Sequence, residues 1–512
     1  MKKIVIFLFS AITIFAACKK DITERNLQFT ALKPAKTDSV AGTWKTLLLT
    51  SPDEFALAAP GATNVVAYTR EINEIKSFQA SLTNEQRNSI AYWSAGSVLR
   101  WNEILRTLVA KHNLPPYQNE DGTYPAPNAN NPFAYPQFPF SNPPFAARAY
   151  AYIAAAQYDA LVAAYHYKKL YSRKSPYDVD AAIQVLVPKT TLGAYPGETG
   201  VIQGVTVEML KLLFPTDAAY IRQMAEEEKL CRIMSGANVR SDIEAGEALG
   251  RLVATKFAAK AATDRAGAAI GNDLIWAQLE NDCKARGEIP WLSLELPKRP
   301  PMLPLFGNVK SFLIDSITQI ANRPVPPPST ASVEFATELA EVKYFADNPT
   351  RERIALVHFW ADGAGTYAPP GHWNAIAAEE FVRQNFSEVR WARNLALLNI
   401  TMMDAAIACW DAKYLHYNPR PCQIDPAIKT SSGVPNFPAY VSGHSTFSGA
   451  AATFLSHILP AKSGAFTDMA KAASDSRLFG GLHYRSDCEK GLILGNKVAA
   501  SAIARARIDG AE

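Results

Sequence analysis

The chain has few cysteines, little net charge and few stretches in which β-branched residues alternate with polar ones. Its six cysteines include no Cys-X-X-Cys pair, and 512 residues can build a core without disulfides, so a disulfide framework is not expected. The formal net charge is only +4, which gives no support for a nucleic-acid partner or a charged membrane surface. The scarcity of alternating stretches argues against a fold built on sheets. No internal repeat is evident.

Long apolar runs are also rare, and the clear example lies at the N-terminus. Residues 1–3 include two lysines, residues 4–17 carry no charge, and the run ends in Phe15-Ala-Ala-Cys18. This length suits the h-region of a signal peptide and is short for a transmembrane helix. The ending resembles a bacterial lipoprotein box with Cys18 as the lipidated residue, and a plain secretory signal is the alternative. Since no later stretch is long and apolar enough to span a bilayer, we expect an exported lipoprotein, periplasmic or at the cell surface, held to a membrane only by its N-terminal lipid anchor.

Apolar residues recur at helical spacing along most of the chain, which predicts an all-α fold. Alanine and glycine are frequent in these stretches, as expected for closely packed helices. An amphipathic run follows the capping residues of 81–85. The other predicted helices are Pro144–Lys169, Thr199–Leu213, Ala218–Ser235, Val239–Ala262, Ser332–Asp347, Thr350–Trp360, Ser387–Lys413, Ser445–Leu459 and His483–Ala504.

Two proline-rich segments interrupt the helical pattern, and the second, at 323–329, is the expected boundary between two regions. We expect an N-terminal helical half packed on a C-terminal helical bundle that carries the functional site. The predicted divisions are a signal peptide at 1–17, a lipoprotein tether and lead-in segment at 18–59, an N-terminal helical region at 60–328 and a C-terminal catalytic region at 329–512.

Three clusters of basic and histidine-bearing residues between 410 and 487 predict a site for an oxyanion. They supply fixed cations, hydrogen-bond donors and two imidazoles, which suit the oxygens of a tetrahedral or trigonal-bipyramidal anion. One cluster, Ser442-Gly-His, precedes a predicted helix, whose N-terminal N–H groups bind anions and whose glycine allows close approach. The histidine of that cluster is placed to exchange a proton with the anion. The candidate residues are Lys413, Arg420, Ser442, Gly443, His444, Arg477, His483 and Asp487.

His483 and Asp487 are four residues apart and would share one face of a helix. A carboxylate that binds one imidazole nitrogen fixes the tautomer and makes the other nitrogen more basic, as a metal ligand or a nucleophilic histidine requires. Each cluster alone has an ordinary structural explanation: a capped turn, a structural His–Asp pair, or surface lysine and arginine. The joint spacing of the three clusters is what indicates a site.

That joint spacing resembles the superfamily of type 2 phosphatidic acid phosphatases (PAP2) and vanadium-dependent haloperoxidases. The superfamily signature is Lys-X6-Arg-Pro, then Pro-Ser-Gly-His, then Ser-Arg-X5-His-X3-Asp. Segments 413–421, 442–444 and 476–487 match it, and Val441 stands where the superfamily usually has proline. The resemblance implies a helical bundle of the PAP2/vanadium haloperoxidase type.

Three further positions resemble the haloperoxidase branch of that superfamily. Trp410 and Phe437 stand where vanadium haloperoxidases have residues that line the halide pocket; helix spacing alone would place both equally well in the core. Asp362, which follows Phe359-Trp-Ala, resembles an aspartate that pairs with a site arginine. His372 and His416 are left outside the predicted site.

The resemblance implies vanadate as the cofactor, with His483 as the vanadium ligand and Asp487 as its partner. The residues implied to hold the oxygens of vanadate, or of phosphate in the same place, are Lys413, Arg420, Ser442, Gly443 and Arg477. The implied reaction is the oxidation of halide by hydrogen peroxide, in which His444 is the acid–base partner and Lys413 polarises the peroxide.

The same residues also suit an acid phosphatase, because phosphate and vanadate are nearly isosteric. His483 would then attack the phosphorus of a phosphate ester, Asp487 would orient it, and His444 would protonate the leaving oxygen. A surface lipoprotein that only binds oxyanions is a third alternative. Both histidines and Asp487 argue against that alternative, because binding alone needs only cations and amides.

Overall fold

The structure is a computed structural model that describes residues 29–115, 119–121, 141–295 and 298–512. The described residues form helices and turns and no strand, so the predicted all-α fold is confirmed. The predicted lipidation residue, Cys18, lies outside the described residues. The helices of seven or more residues are α1 (Val66–Ala80), α2 (Asn84–Ser94), α3 (Ser97–His112), α4 (Pro143–Tyr171), α5 (Glu198–Leu213), α6 (Ala218–Met234), α7 (Arg240–Thr263), α8 (Asp273–Ala285), α9 (Ser316–Asn322), α10 (Val333–Asp347), α11 (Arg351–Phe359), α12 (Ala368–Gln384), α13 (Glu388–His416), α14 (Gly443–Ile458), α15 (Ser463–Phe479) and α16 (Arg485–Ala506).

Polar side chains begin several helices where the sequence provides them. Thr83 and Gln86 form a capping box at α2, and Asn142 and Ser387 accept hydrogen bonds from the first turns of α4 and α13. All nine helices bounded from the sequence begin and end within three residues of these bounds. Local capping and periodicity therefore determine most of the helix limits.

Two helices of the C-terminal region were not predicted. α12 begins Ala368-Pro-Pro-Gly, which is typical of a break, yet proline fits a first helical turn because its missing N–H has no intrahelical acceptor there. α15 opens on serine, glycine and threonine, which are weak helix formers, and its helical state depends on its packing.

α13 is the central helix of the molecule and lies against α4, α14 and α16. By length and composition the segment Glu388–Ile424 is apolar enough to cross a membrane, which corrects the expectation that no stretch after the N-terminus would be. However, 94% of its apolar window is buried inside the protein, as in a core helix. The last turn of this helix carries Trp410 and Lys413 into the interior.

The helices of the two halves repeat in order and in length, contrary to the expectation of no internal repeat. α4–α7 correspond to α13–α16: α4 and α13 have 29 residues each, α5 and α14 have 16, and α6 and α15 have 17. α7 and α16 have 24 and 22 residues. In all four pairs the first residues are 245 positions apart, as Pro143 and Glu388 are. We call these the N-terminal unit (α4–α7) and the C-terminal unit (α13–α16).

Glycines at equivalent positions allow close contact between α5 and α7 in the N-terminal unit and between α14 and α16 in the C-terminal unit. A Cβ on Gly250 would lie 2.3 Å from the carbonyl oxygen of Val201, and a Cβ on Gly495 would lie 2.2 Å from that of Thr446. Only glycine fits at such a backbone contact. In each unit this contact holds the first turn of one helix (α5 or α14) against the first half of another (α7 or α16).

Candidate active site

Lys413 lies in the last turn of α13 and is fully buried. Its Nζ donates to the carbonyl oxygens of Pro438 (2.7 Å) and Ala439 (3.0 Å). The Nζ is 4.9 Å from the ring centroid of Phe437, and the ring of Trp410 lies 5.1 Å from that of Phe437. The fold therefore brings Trp410 and Lys413 of α13 against Phe437, which comes from a later segment of the chain.

Arg420 directly precedes the four-residue helix Pro421–Ile424, and its side chain contacts residues from two other segments of the site. Its Nε and Nη2 donate to the carbonyl oxygen of Phe437 at 3.1 and 3.0 Å. Its Nη1 donates to the carbonyl oxygen of Leu482 and lies 2.9 Å from Nε2 of His483. The guanidinium is thus fixed beside the imidazole nitrogen that the resemblance assigns to chemistry.

Ser442 is the N-cap of α14, so Gly443 and His444 lie in its first turn and not ahead of it as predicted. The Ser442 hydroxyl accepts from a backbone N–H three residues on (3.3 Å), and its own N–H donates to the carbonyl oxygen of Asp487 (2.9 Å). A Cβ on Gly443 would meet only Trp410, at 3.9 Å. The helix N-terminus is therefore open at Gly443, as an anion site requires.

His483 and Asp487 are in contact, but they do not share a helical face. α16 begins at Arg485, because Asp487 caps it by accepting from the backbone N–H of Tyr484 (3.1 Å). The same carboxylate oxygen lies 2.9 Å from His483 Nδ1. Since a carboxylate only accepts, this contact assigns the proton to Nδ1 and leaves a lone pair on Nε2.

Arg477 completes the set from the last turn of α15. Its Nε donates to the Ser476 hydroxyl (2.9 Å) and its Nη2 to the carbonyl oxygen of Val357 (3.2 Å). The side chain is buried. The fold thus gathers all eight candidate residues of the three sequence clusters into one region.

The three cations of the site carry more charge than their surroundings neutralise. Within the described residues, neither Lys413 nor Arg420 nor Arg477 forms an ion pair with a carboxylate; their direct partners are carbonyls, a hydroxyl and an imidazole. Burial lowers the pKa of each arginine to about 10 and also lowers the pKa of Lys413. Burial of unpaired charge is costly, so such a cluster is typical of a site that receives an anion.

Both histidines of the site favour the neutral form. Burial, followed by the charges of Arg420 and Lys413, lowers the pKa of His483 well below 6.5. Burial and Arg477 do the same to the pKa of His444, whose Nε2 lies 3.2 Å from the carbonyl oxygen of Ala361. Near neutral pH each imidazole therefore has a nitrogen lone pair available.

The resemblance implies that Asp362 pairs with a site arginine. Asp362 does lie beside the site, but it forms no hydrogen bond with Arg420 or Arg477. Its carboxylate oxygens are 3.1 and 3.2 Å from Nδ1 of His372, which stacks on Trp360 at a centroid distance of 4.5 Å. Its charge opposes the fall that burial causes in the pKa of Arg477. His372, omitted from the predicted site, therefore belongs to its surroundings, and no spacing in the sequence indicates the Asp362–His372 pair.

A narrow cleft opens onto these groups. The polar lining comes from the helix N-terminus, both histidines and one arginine, and the rest of the lining is proline, leucine and aromatic rings. The lining residues are Pro143, Pro369, Trp410, Pro435, Phe437, Gly443, His444, Phe447, Arg477, Leu482 and His483. A small anion entering this cleft would therefore pass apolar walls before it reaches the polar groups.

Comparisons with known proteins agree with this arrangement. The PAP2 superfamily matches residues 394–506, which include all three clusters. Among solved structures, the chain is similar to a bacterial vanadium-dependent iodoperoxidase, with a TM-score of 0.58 and 22% identity over 80% of this chain and 96% of that one. It is also similar to the holo form of a bacterial vanadium-dependent chloroperoxidase, with a TM-score of 0.50 and 13% identity over 74% of this chain and 96% of that one. No curated protein matches the chain. The chain therefore combines a PAP2 superfamily region with the all-helical fold of the vanadium haloperoxidases.

Proposed function

We propose that the protein is a vanadate-dependent haloperoxidase that oxidises halide with hydrogen peroxide. The observation that carries this proposal is the group of three buried cations without a carboxylate partner, beside a neutral histidine and an open helix N-terminus. The likeness in fold to vanadium iodo- and chloroperoxidases supports halide as the substrate class.

The residues present fit vanadate. His483 offers the Nε2 lone pair as a ligand to vanadium, because Asp487 holds the proton on Nδ1. Arg420 Nη1 lies 2.9 Å from that nitrogen, and Gly443, the first residue of α14, lines the cleft. The residues that would hold the oxygens are Lys413, Arg420, Ser442, Gly443 and Arg477. When bound, vanadate supplies an electrophilic centre that activates hydrogen peroxide towards attack by halide.

The three cations bind and neutralise the oxyanion. A unit charge 4 Å from an opposite one gains about 4 kcal/mol at an effective dielectric constant of 20, against about 1 kcal/mol in water. Lys413, Arg420 and Arg477 are all buried, so their interaction with the anion is of the stronger kind. Because carbonyl oxygens already hold these side chains in place, little reorganisation opposes binding.

His444 and the aromatic walls supply the remaining functions. His444 is neutral near pH 7 and lies in the first turn of α14, so it can accept a proton from hydrogen peroxide and return it to a leaving oxygen. Trp410 and Phe437 form an apolar side of the cleft and shape the path by which a halide ion would approach.

We also propose that the protein is exported and anchored through a lipidated Cys18, with 18–59 as the tether and lead-in segment. The signal-like run and the residues before the cysteine support this. Palmitate labelling of the full chain in a bacterial host tests it: wild-type protein should take up label and Cys18→Ala should not. Equal labelling of both proteins would contradict the anchor.

A phosphatase of the PAP2 type is the second candidate, favoured by the superfamily match over 394–506. One paired assay separates the two candidates. Vanadate-free and vanadate-loaded samples are tested for oxidation of iodide and bromide with hydrogen peroxide, and for hydrolysis of p-nitrophenyl phosphate. We expect halide oxidation only in the loaded sample. Halide oxidation that is equal in both samples, or ester hydrolysis that vanadate inhibits without any halide oxidation, would reject the haloperoxidase proposal.

A further inference from the structure

The N-terminal unit repeats the hydrogen bonds that build the site in the C-terminal unit. Lys168 is buried in the last turn of α4, as Lys413 is in α13. Its Nζ donates to the carbonyl oxygen of Gly193 at 2.6 Å, and Lys413 Nζ donates to that of Pro438 at 2.7 Å. In each unit the acceptor lies 25 residues after the lysine. The two lysines therefore occupy equivalent places.

The carboxylate that caps the last helix is also repeated. Asp242 accepts from a backbone N–H three residues earlier (3.3 Å) and from Asn238 Nδ2 (3.4 Å). Asp487 accepts from the equivalent N–H (3.1 Å), with His483 Nδ1 at 2.9 Å. The N-terminal unit thus has asparagine in place of the histidine. At the position equivalent to Arg477 the N-terminal unit has Arg232, whose Nε donates to Asn238 Oδ1 at 2.9 Å.

The units differ most at the helix N-terminus that faces the lysine. The C-terminal unit has Gly443 at the first residue of α14, with open space above it. The N-terminal unit has Glu198 at the first residue of α5, and its Oε1 lies 3.4 Å from Lys168 Nζ. Only 6% of the lysine side chain and 18% of the glutamate side chain are exposed. A carboxylate thus sits between a buried lysine and a helix N-terminus, where anions bind well.

The N-terminal unit contains a second pair of opposite charges. Arg173 Nη1 lies 3.2 Å from Asp242 Oδ1, whereas within the described residues no lysine or arginine forms an ion pair with Asp487. Burial lowers the pKa of Lys168, and Glu198 opposes that fall. Among the described residues, Lys168 therefore has a carboxylate partner and its equivalent Lys413 has none.

We propose that the N-terminal unit is a second anion site that the chain closes with its own carboxylate, so that Glu198 stands where an oxyanion stands in the C-terminal unit. Its ligand class is a tetrahedral oxyanion such as inorganic phosphate, admitted once the carboxylate is removed. The inference rests on the proposed oxyanion site at His483, because that site supplies the comparison.

Phosphate binding by the full chain tests the proposal. Isothermal titration with inorganic phosphate should give one equivalent bound for the wild type and two for Glu198→Ala. The matched control is Glu208→Ala, which removes a glutamate of the same helix that pairs with Lys211 near the surface (2.8 Å). That variant should bind one equivalent. Combining Glu198→Ala with Arg477→Ala should return the count to one, because only the N-terminal site then remains.

A folded Glu198→Ala protein that binds no more phosphate than the wild type would overturn the proposal. If that variant does not fold, urea unfolding of Lys168→Met, Glu198→Gln and the double variant decides instead. Each single variant should lower the urea midpoint, and the double variant should recover at least half of the summed loss. Shifts that simply add would show that the two side chains are not each other's counter-ions.

Failure of this inference and failure of the proposed function give different results. If the wild type oxidises halide with vanadate and Glu198→Ala still binds one equivalent of phosphate, only the second anion site is rejected. A count of two in Glu198→Ala without any halide oxidation supports the closed site and rejects the haloperoxidase.

Discussion

The two units of the molecule place a lysine and an arginine in equivalent positions, Lys168 and Arg232 in one and Lys413 and Arg477 in the other, and they neutralise the lysine differently. Lys168 and Lys413 end helices of 29 residues and donate to equivalent carbonyls. In the N-terminal unit Glu198 pairs with the lysine, and in the C-terminal unit Gly443 leaves the same place open. In the first unit the lysine is paired within the protein, and in the second it is free to pair with the proposed anion. One helical framework can therefore carry either arrangement, depending on a few side chains such as Glu198 and Gly443 at the helix N-terminus.

The largest expected difference between the units is catalytic. His483→Ala should reduce vanadate-dependent halide oxidation by at least about 1,000-fold, because it removes the proposed vanadium ligand. Asn238→Ala, the equivalent change in the N-terminal unit, should leave turnover within about twofold, since no substrate reaches that unit. Initial rates of iodide oxidation, compared at equal folded fraction by circular dichroism, measure both. Similar losses in the two variants would show that His483 has no special role.

The second difference concerns anion affinity. Arg477→Ala should weaken inorganic phosphate binding by about 100-fold, because a charge-assisted contact to the anion in a buried site is lost. Arg232→Ala should leave that affinity unchanged, because Arg232 lies in the other unit, where its Nε donates to Asn238. Calorimetric titration at constant pH and ionic strength provides the comparison. Weaker binding in Arg232→Ala would mean that the two units are not independent.

The third difference is in stability. Lys168→Met should lower the free energy of unfolding by about 2 kcal/mol, because it leaves the mostly buried Glu198 without its partner. Lys413→Met should leave the free energy of unfolding unchanged or slightly higher, because it removes a buried cation that has no carboxylate partner. Urea unfolding in phosphate-free buffer measures both. Equal losses in the two variants would contradict the difference in neutralisation.

The smallest effect is a dependence of stability on pH. The pKa of His483 lies well below its ordinary value of 6.5 in the folded protein, so below that pH the unfolded chain binds a proton that the folded chain does not. Stability is therefore lost as the pH falls. His483→Asn, which copies Asn238, should remove about 1 kcal/mol of that loss between pH 6.5 and pH 5.5. Urea unfolding at the two pH values tests this, and parallel losses in wild type and variant would contradict it.

The sequence was sufficient to predict the helical class and most helix limits, and its motif spacing singled out eight residues that the fold brings together. These features depend on local chemistry: periodicity, capping and motif spacing. The contact between His483 and Asp487 was predicted on a wrong geometry, because helix capping by Asp487 places the histidine outside α16. The Asp362–His372 pair was not predictable, because it depends on the path of the loop before α12.

The internal repeat is visible in the residues mainly at the start of the last helix of each unit, where Arg240-Ser-Asp-Ile-Glu-Ala-Gly and Arg485-Ser-Asp-Cys-Glu-Lys-Gly share five of seven residues. Many of the other shared residues are alanine and glycine, which are frequent throughout the chain. Some candidate site positions are retained, as in Lys168 and Lys413, whereas others diverged, with Asn238 for His483 and Glu198 for Gly443. Residue type was retained where packing requires it, as at Gly250 and Gly495, and such positions carry no functional signature.

The pairing of α4 with α13 has a consequence for how the chain folds. α4 is buried along most of its length, and it lies against a helix that begins 245 residues later. During synthesis or export, the apolar surface of the N-terminal unit therefore remains uncovered until α13 is present. Contacts at such sequence separation slow folding and leave intermediates prone to aggregation. A fragment that ends at residue 328 would expose that surface permanently, and each half depends on the other for its solubility.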